Sequence, residues 1–456
     1  MVSGREIVNV DPVREAAFRS LRRVTEKAAY ANIVVDATLE RHNWAQHHRK
    51  LYTTLVYGTL RHGGLIDWVL GKRIGRKFPG GIHPAILTIL RMGTYQILFL
   101  SRMPKYAAVD ESVKLAKKYG HERAAAFVNA VLRATKRNAG SVELPNRNEN
   151  AALYIATKYS HPLWLVERWL SVWGFEPTER VCAVNNETAP LTVRANTLKV
   201  DPEELGQRLR DEHLSVRKNT EVPEELEIVK SPRPIRQIRS FRDGLFQIQD
   251  ASSICAGHLL APKPGETVAD MCAGPGGKTT HLAQLMQDCG KIYAIDVKPH
   301  RLSLIRDNCL RLGVTMVQCV QADAGRVSEL NLPPADRVLV DAPCSGTGTF
   351  RRKLDLRWRL KSGEIERLAA IQKELVGAAS SILKPGGVLV YSVCSVDPVE
   401  TDELGRGDTF SSRGLVRDSS CPAWMSRFKT PQGYFRIMPG QNGMDGFFMA
   451  KFVKTS

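Results

Sequence analysis

Apolar residues recur three and four positions apart from about residue 10 to residue 137, the period of helices with one buried face. Leu51, Leu55 and Leu60 mark one stripe, and Leu65, Ile66 and Val69 the next. Pro84 stands where a first helical turn tolerates proline, ahead of Ala85, Ile86 and Leu87. A helix after Tyr106 should stop at Gly120, and another should run from Glu122 to Arg137. The polar, turn-rich stretch 138–150 (NAGSVELPNRNEN) predicts a linker. One or two helices are expected over 151–175, with Leu163, Val166, Leu170 and Trp173 on one face and Gly174 as the stop. Residues 191–199 alternate like a strand, and 226–230 do so again. Between them Asp201-Pro202-Glu203-Glu204 opens a helix with acids at the positive end of its dipole. From about Gly244 strands (267–270, 292–296, 316–320, 337–341, 388–391) alternate with helices (278–286, 301–312, 364–383). That alternation predicts an α/β, Rossmann-like, doubly wound parallel sheet, with two later strands at 434–438 and 447–452 able to complete it. The resulting division is an all-helical domain over 1–140, a helical plus small α/β subdomain over 151–243, and the sheet domain over 244–456. No internal repeat stands out, and 406–420 reads as a polar loop.

A chain of 456 residues fits this picture of about three domains. Charge then separates them. The 65 basic and 47 acidic residues leave +18, and residues 1–140 hold 24 of the former and 10 of the latter, a net of +14. Basic clusters (Arg41, Arg49 and Lys50; Lys72, Arg73, Arg76 and Lys77; Lys114, Lys117 and Lys118) punctuate the helical region. A basic module on a nearly neutral body suits a polyanion such as RNA, because each neutralised phosphate releases counterions. Arg233, Arg236, Arg239 and Arg242, with Phe241, form a second basic run that would serve either phosphate contacts or a solvated edge. The nine cysteines are never closer than ten residues, which excludes CxxC zinc pairs and makes a poor disulfide framework. No metal site is expected. Arg5 and Glu6 fall where a secretory signal would be apolar, and the best apolar run, 85–100, contains Arg91. The expectation is a cytoplasmic protein with no membrane partner.

Ligands of a doubly wound sheet sit at the carboxyl ends of its strands. The first of these strands runs into Asp270-Met271-Cys272-Ala273-Gly274-Pro275-Gly276-Gly277-Lys278. A P-loop would need glycine where Cys272 stands, and a dinucleotide loop matches imperfectly. S-adenosyl-L-methionine, which has no phosphates, fits a third reading. Asp296 ends the second strand, where a carboxylate can accept both ribose hydroxyls; Asp323 follows the third, near the adenine amine; Asp341 ends the fourth, beside the transferred methyl group. Two cysteines follow adjacent strand ends, Cys344 in Asp341-Ala342-Pro343-Cys344-Ser345-Gly346 and Cys394 in Val393-Cys394-Ser395. Amine methyltransferases place an aromatic residue where Cys344 stands, so the acceptor is expected to be carbon. Carbon 5 of a pyrimidine is a poor nucleophile until a thiolate adds to carbon 6. A second cysteine then suits acid or base work during release, and Asp341 suits the base edge. A buried cysteine is ordinarily a small core residue; two in polar strand-end loops are harder to read that way.

These motifs resemble the bacterial Fmu/Sun-type small-subunit rRNA cytosine-C5 methyltransferases, within the wider NOL1/NOP2/Sun RNA methyltransferase group. The carrying stretches are MCAGPGGKTTHLAQLM (271–286), AID (294–296), DAPCSGTGT (341–349), YSVCSVDPVE (391–400) and DGFFMAKF (445–452). Upstream, LVYGTLRHGGLIDWVL (55–70), RMGTYQILFLSRMPKYAAVDESVKLAK (91–117) and AAFVNAVLR (125–133) look like a NusB-type RNA-binding domain, and GLFQIQDASS (244–253) like the entry to the catalytic domain. The resemblance implies Cys394 as nucleophile and Cys344 as the group assisting release. It further implies that Cys272, Ala273, Gly274, Pro275, Gly276, Gly277, Lys278, Asp296, Asp323 and Asp341 hold S-adenosyl-L-methionine, and that the target is a cytosine of 16S rRNA of the position-967 type. The same reaction on tRNA, and a non-catalytic RNA-binding assembly factor, are the alternatives. Three departures stand out: Val393 replaces the usual threonine, the loop reads CAGPGGK rather than CAAPGGK, and TDELGRGDTF (401–410) lacks the usual acidic, amidated helix start.

Overall fold

Helical periodicity over the first third of the chain condenses into Pro12–Glu26, Ala31–Arg41, Gln46–Arg61, Gly63–Ile74, Pro84–Phe99, Lys105–Tyr119 and Glu122–Arg137. The computed structural model describes residues 9–218, 222–406 and 409–455; Arg5, Glu6 and positions 407 and 408 of the polar stretch lie outside them. Phe18, Leu55, Ile89, Leu90, Leu115, Val128 and Leu132 form a fully buried core. Pro84 occupies the first turn of its helix and Gly120 ends another, as their residue types dictate. The next stretch holds three helices, Ala151–Tyr159, Leu163–Trp173 and Phe175–Val184. The third was not expected, because Gly174 closes one helix and its positive φ of 76° opens the next without a break.

The chain divides into two compact units, 1–187 with Phe350–Leu360, and Thr188–Thr349 with Lys361–Ser456. Phe350–Leu360 follows the Cys344 loop in sequence yet packs into the helical unit. Leu354 joins its core, and fully buried Arg357 donates to the carbonyls of Ser160 (3.1 Å) and Asn185 (2.8 Å) and to Asn186 Oδ1 (2.9 Å).

The second unit begins with an antiparallel sheet in the order β2-β3-β1-β4, built from β1 (Leu191–Ala195), β2 (Ser215–Lys218), β3 (Glu225–Lys230) and β4 (Phe246–Ile248). Helix Pro202–Asp211 is capped by Asp201, whose carboxylate accepts from the amides of Glu203 and Glu204 at 2.9 Å. Residues 246–248, in the stretch expected at the entry to the catalytic domain, form the edge strand of this small sheet.

The large sheet comprises β5 (Thr267–Met271), β6 (Lys291–Asp296), β7 (Val317–Gln321), β8 (Ala335–Asp341), β9 (Leu383–Val393), β10 (Leu415–Arg417), β11 (Phe435–Ile437) and β12 (Phe447–Lys454). Its order is β10-β12-β9-β8-β5-β6-β7, with β11 paired to β12. The expected parallel sheet holds for β5 to β9; β12 then runs antiparallel beside β9, and β10 and β11 each pair antiparallel with β12, so the completed sheet is mixed. The chain moves outward through β5, β6 and β7, then returns to the other side of β5 with β8. That reversal opens a crevice at the carboxyl ends of β5 and β8.

Two buried polar anchors tie the small sheet to helix Gly277–Leu285, which rises from that crevice. Arg194 of β1 is fully buried and donates to Gln284 Oε1 (2.7 Å), the Gly277 carbonyl (2.8 Å) and Thr280 Oγ1 (3.1 Å); burial pulls its pKa down to about 9. Glu224 accepts from Nε2 of His258 (2.8 Å) and of His281 (2.7 Å). Imidazoles that ligate a metal normally donate their other ring nitrogen to an acceptor, whereas the buried Nδ1 of His281 has no partner. Both imidazole Nε2 atoms thus converge on one carboxylate. Burial opposes its charge, but the two imidazoles hold Glu224 well below the carboxylate range, while burial takes His281 down to about 4.

A group whose folded pKa is depressed gains protons on unfolding, so its stabilisation is complete above the unfolded value and lost as pH falls. His281, at about 4 folded against 6.5 unfolded, should cost the protein on the order of 2 kcal/mol between pH 7 and pH 5. Urea midpoints at the two pH values check this: the wild type should drop, and His281→Gln should drop less.

Candidate active site

Leaving β5, the chain passes through Cys272 with a φ of 63° and turns back so that the Gly276 amide donates to the Ala273 carbonyl at 2.8 Å. Gly274 lies against β6: its amide donates to Asp296 Oδ2 at 3.0 Å, and a Cβ there would stand 2.7 Å from that oxygen and 2.5 Å from Cβ of Arg301. The loop thus needs glycine to approach the carboxylate. The other oxygen of Asp296 accepts from the Lys298 amide at 2.9 Å, so the side chain is oriented from both ends. Lys278 reaches across to Asp341 Oδ2 at 2.8 Å, and Ser392 Oγ of β9 donates to Asp341 Oδ1 at 3.0 Å. Around Pro275, the main chain is held by Asn308 Nδ2, which donates to its carbonyl at 3.0 Å.

Asp323 is exposed and caps the turn Ala324–Leu330, accepting from the Gly325 amide at 2.9 Å; no contact among the described residues ties it to the glycine loop. Asp270, in contrast, escaped the sequence reading as a site residue. It is fully buried under the loop, accepts from Thr279 Oγ1 at 2.6 Å, and leaves Oδ1 without a partner; burial raises its pKa to about 7. An acid inside a buried strand is a signal in itself.

The parallel register of β8 and β9 sets Asp341 opposite Ser392. Cys344 and Cys394 follow these partners by three and two residues, and their sulfurs meet at 3.3 Å. The hydrogen bond between the thiols and burial together raise Cys344 well above the ordinary thiol range, and burial raises Cys272 to about 12. The Gly348 amide donates to the Cys394 carbonyl at 3.1 Å, and the Gly446 amide to the Gly348 carbonyl at 2.8 Å. At Gly348 a Cβ would fall 2.1 Å from the Gly446 carbonyl oxygen, so the loop after Cys344 is pressed onto the start of β12. Val393, where the resemblance leads one to expect threonine, is fully buried among Tyr391, Phe448 and their neighbours.

Elsewhere, Arg233, Arg236, Arg239 and Arg242 are exposed, while Phe241 packs beneath the guanidinium of Arg311 at 4.0 Å. Among the described residues no helix is long and apolar enough to cross a membrane.

Three family descriptions match the chain. They are the NusB family over residues 11–137, the ferredoxin-like domain of RsmF/B-like methyltransferases over 161–236, and the 16S rRNA methyltransferases RsmB/F over 257–453. The probable ribosomal RNA small subunit methyltransferase B of Bacillus subtilis is 34% identical over 446 residues, 97% of this chain and 98% of that protein. Ribosomal RNA small subunit methyltransferase B of Cronobacter sakazakii is 31% identical over 444 residues, 97% of this chain and 98% of its own. Among solved structures, the crystal structure of PH0851 matches with a TM-score of 0.83 at 29% identity, covering 98% of this chain and 99% of that one.

Because Gly274 has no room for a side chain, Gly274→Ala should displace Asp296 or Arg301 and destabilise the protein by about 1–3 kcal/mol. Denaturant midpoints of the two proteins measure it.

Proposed function

The chain belongs to the 16S rRNA methyltransferase RsmB/F family, and from that premise we propose that it methylates carbon 5 of a cytosine in small-subunit ribosomal RNA, the position-967-type site, through a covalent adduct on Cys394. The observation that carries the reading is the pair of thiols, 3.3 Å apart at the ends of adjacent strands and next to Asp341.

The glycine loop suits S-adenosyl-L-methionine. Gly274 lets the loop backbone lie close against Asp296, Asp296 presents a carboxylate at the end of β6, and buried Asp270 has an oxygen without a partner below the loop. Cys272 through Lys278 would hold this group together with Asp296, Asp323 and Asp341. When bound it supplies the electrophilic methyl group.

The chain's own residues do the rest. Cys394, as thiolate, forms a bond from sulfur to carbon 6 of the ring, and the electron pair displaced there makes carbon 5 nucleophilic. Asp341 holds the base edge and, sharing a proton with it, stabilises charge at ring nitrogen 3. After carbon 5 has taken the methyl group, it must lose its proton to a base; the electrons of that bond restore the ring double bond and expel the Cys394 sulfur. Cys344, in contact with that sulfur, assists the departure. Reaching a base in a paired region requires it to leave its stack, and the basic helical domain supplies the charge to hold the flanking backbone.

Mixing Cys344→Ala protein with total RNA and S-adenosyl-L-methionine tests the assignment on a denaturing gel. A covalent protein–RNA adduct should accumulate, and adding Cys394→Ala should abolish it. Sequencing the trapped RNA should return the small-subunit site. An adduct formed by the single Cys394→Ala variant, with Cys344 intact, would reverse the two roles, and a trapped tRNA would overturn the substrate.

In a second test, Asp296→Ala should weaken S-adenosyl-L-methionine binding by about 10- to 100-fold, the worth of one or two charge-assisted hydrogen bonds. Calorimetric titration reads the change directly.

A further inference from the structure

Behind the two thiols lies a closed polar network whose residues are fully or almost fully buried: Glu400, Gln372, Tyr391, Ser345, Thr347 and Ser395. Burying a carboxylate here is unfavourable unless its oxygens are satisfied. They are. Glu400 Oε1 accepts from the Ser345 amide at 2.8 Å and from Gln372 Nε2 at 3.0 Å, and Oε2 accepts from the Ser345 hydroxyl. Gln372 also donates to the Pro343 carbonyl at 2.9 Å, and its own oxygen accepts from the Tyr391 hydroxyl at 2.9 Å. That single Tyr391 proton is shared with the Glu400 carbonyl, whose oxygen lies 2.8 Å from the phenol oxygen.

The consequence is local to Cys344. The residue before it is held by Gln372 and the residue after it by Glu400, so both peptide neighbours of the thiol are clamped to one carboxylate network. The same network reaches the other thiol. Thr347 Oγ1 lies 2.9 Å from the Ser395 hydroxyl and accepts from the Val396 amide at 3.0 Å, and the Ser345 and Ser395 hydroxyls are 3.2 Å apart. Glu400 itself makes no contact with either sulfur among the hydrogen bonds described, so its effect passes through the loops that carry them.

We propose that Glu400 is a positioning residue for the thiol pair, fixing Cys344 against Cys394 and setting the charge that the pair faces. This rests on the function proposed above for what the pair does, but the placement of the thiols is a property of the protein alone. A purely structural part in the core would not require both sides of one cysteine to be gripped. Electrostatics act in the same sense, since the charge of Glu400 is one of the influences that raise Cys344.

Two variants and two readouts test this. Glu400→Gln keeps the shape of the side chain and removes its charge, whereas Glu400→Ala removes the clamp. Iodoacetamide alkylation of Cys344, followed by mass spectrometry across a pH series, needs no RNA. Its midpoint should move to lower pH in Glu400→Gln, because loss of a neighbouring negative charge favours the thiolate. In methyl transfer, Glu400→Ala should lower kcat by about 10- to 100-fold with the KM for S-adenosyl-L-methionine unchanged, the scale of a misplaced group. Glu400→Gln should recover most of that loss. The proposal is overturned if Glu400→Gln leaves the alkylation midpoint where the wild type has it, or if Glu400→Ala retains full kcat. Should Glu400→Ala fail to fold, the Glu400→Gln midpoint alone decides. A shifted midpoint in a protein whose wild type methylates no RNA would uphold the positioning and sink the proposed function instead.

Discussion

The pairing of β8 with β9 is the constraint on which the site depends. Two parallel strands side by side, with Asp341 opposite Ser392, deliver whatever follows them to the same few ångströms of space. Cys344 and Cys394 are 50 residues apart in sequence, and this register is what joins them. A slip of one residue would turn each side chain of β9 to the other face of the sheet. Ser392 would then lose Asp341, and Val393 would leave the apolar core.

Around that pairing the protein accepts costs that ordinary cores avoid. Arg194, Glu224, Asp270 and Glu400 are all buried, and each side chain is hydrogen-bonded to its surroundings. Buried charges of this sort contribute little net stability against apolar replacements, but a network satisfied only in one arrangement discriminates against the others. Arg194 and Glu224 both bear on helix Gly277–Leu285, which carries Lys278 and begins in the glycine loop. Glu400 bears on the cysteine loops. The glycine-loop side and the thiol side of the crevice are thus held by separate sets of polar contacts, and they meet at Asp341 through Lys278 and Ser392.

Much of this was legible in the chain. Helical period, proline and glycine punctuation, and strand–helix alternation located the helices of residues 10–137 and the strands β5 to β9, because each signal is a local one. Four things were not local. The edge strand at 246–248 is recognised only by its pairing with β1, and the antiparallel run of β12 only by its pairing with β9. Segment Phe350–Leu360 packs with helices far away in sequence, and its apolar residues alone do not say which core they join. Glu400 appears in sequence as an ordinary acid after a proline turn; only the three donors converging on it reveal its place. Asp270 stands in the sequence as an acid in an apolar strand, while its burial and its unpaired oxygen are set by the loop folded over it.

The proposed function has this crevice act on carbon 5 of a pyrimidine. Release of tritium from RNA labelled at carbon 5 of cytosine tests it most directly, because that proton leaves only if carbon 5 is the acceptor. With S-adenosyl-L-methionine present, the wild-type protein should release tritium in step with methyl groups incorporated, and Cys394→Ala should release none. Methyl incorporation with the tritium retained would place the acceptor on another atom and contradict the account.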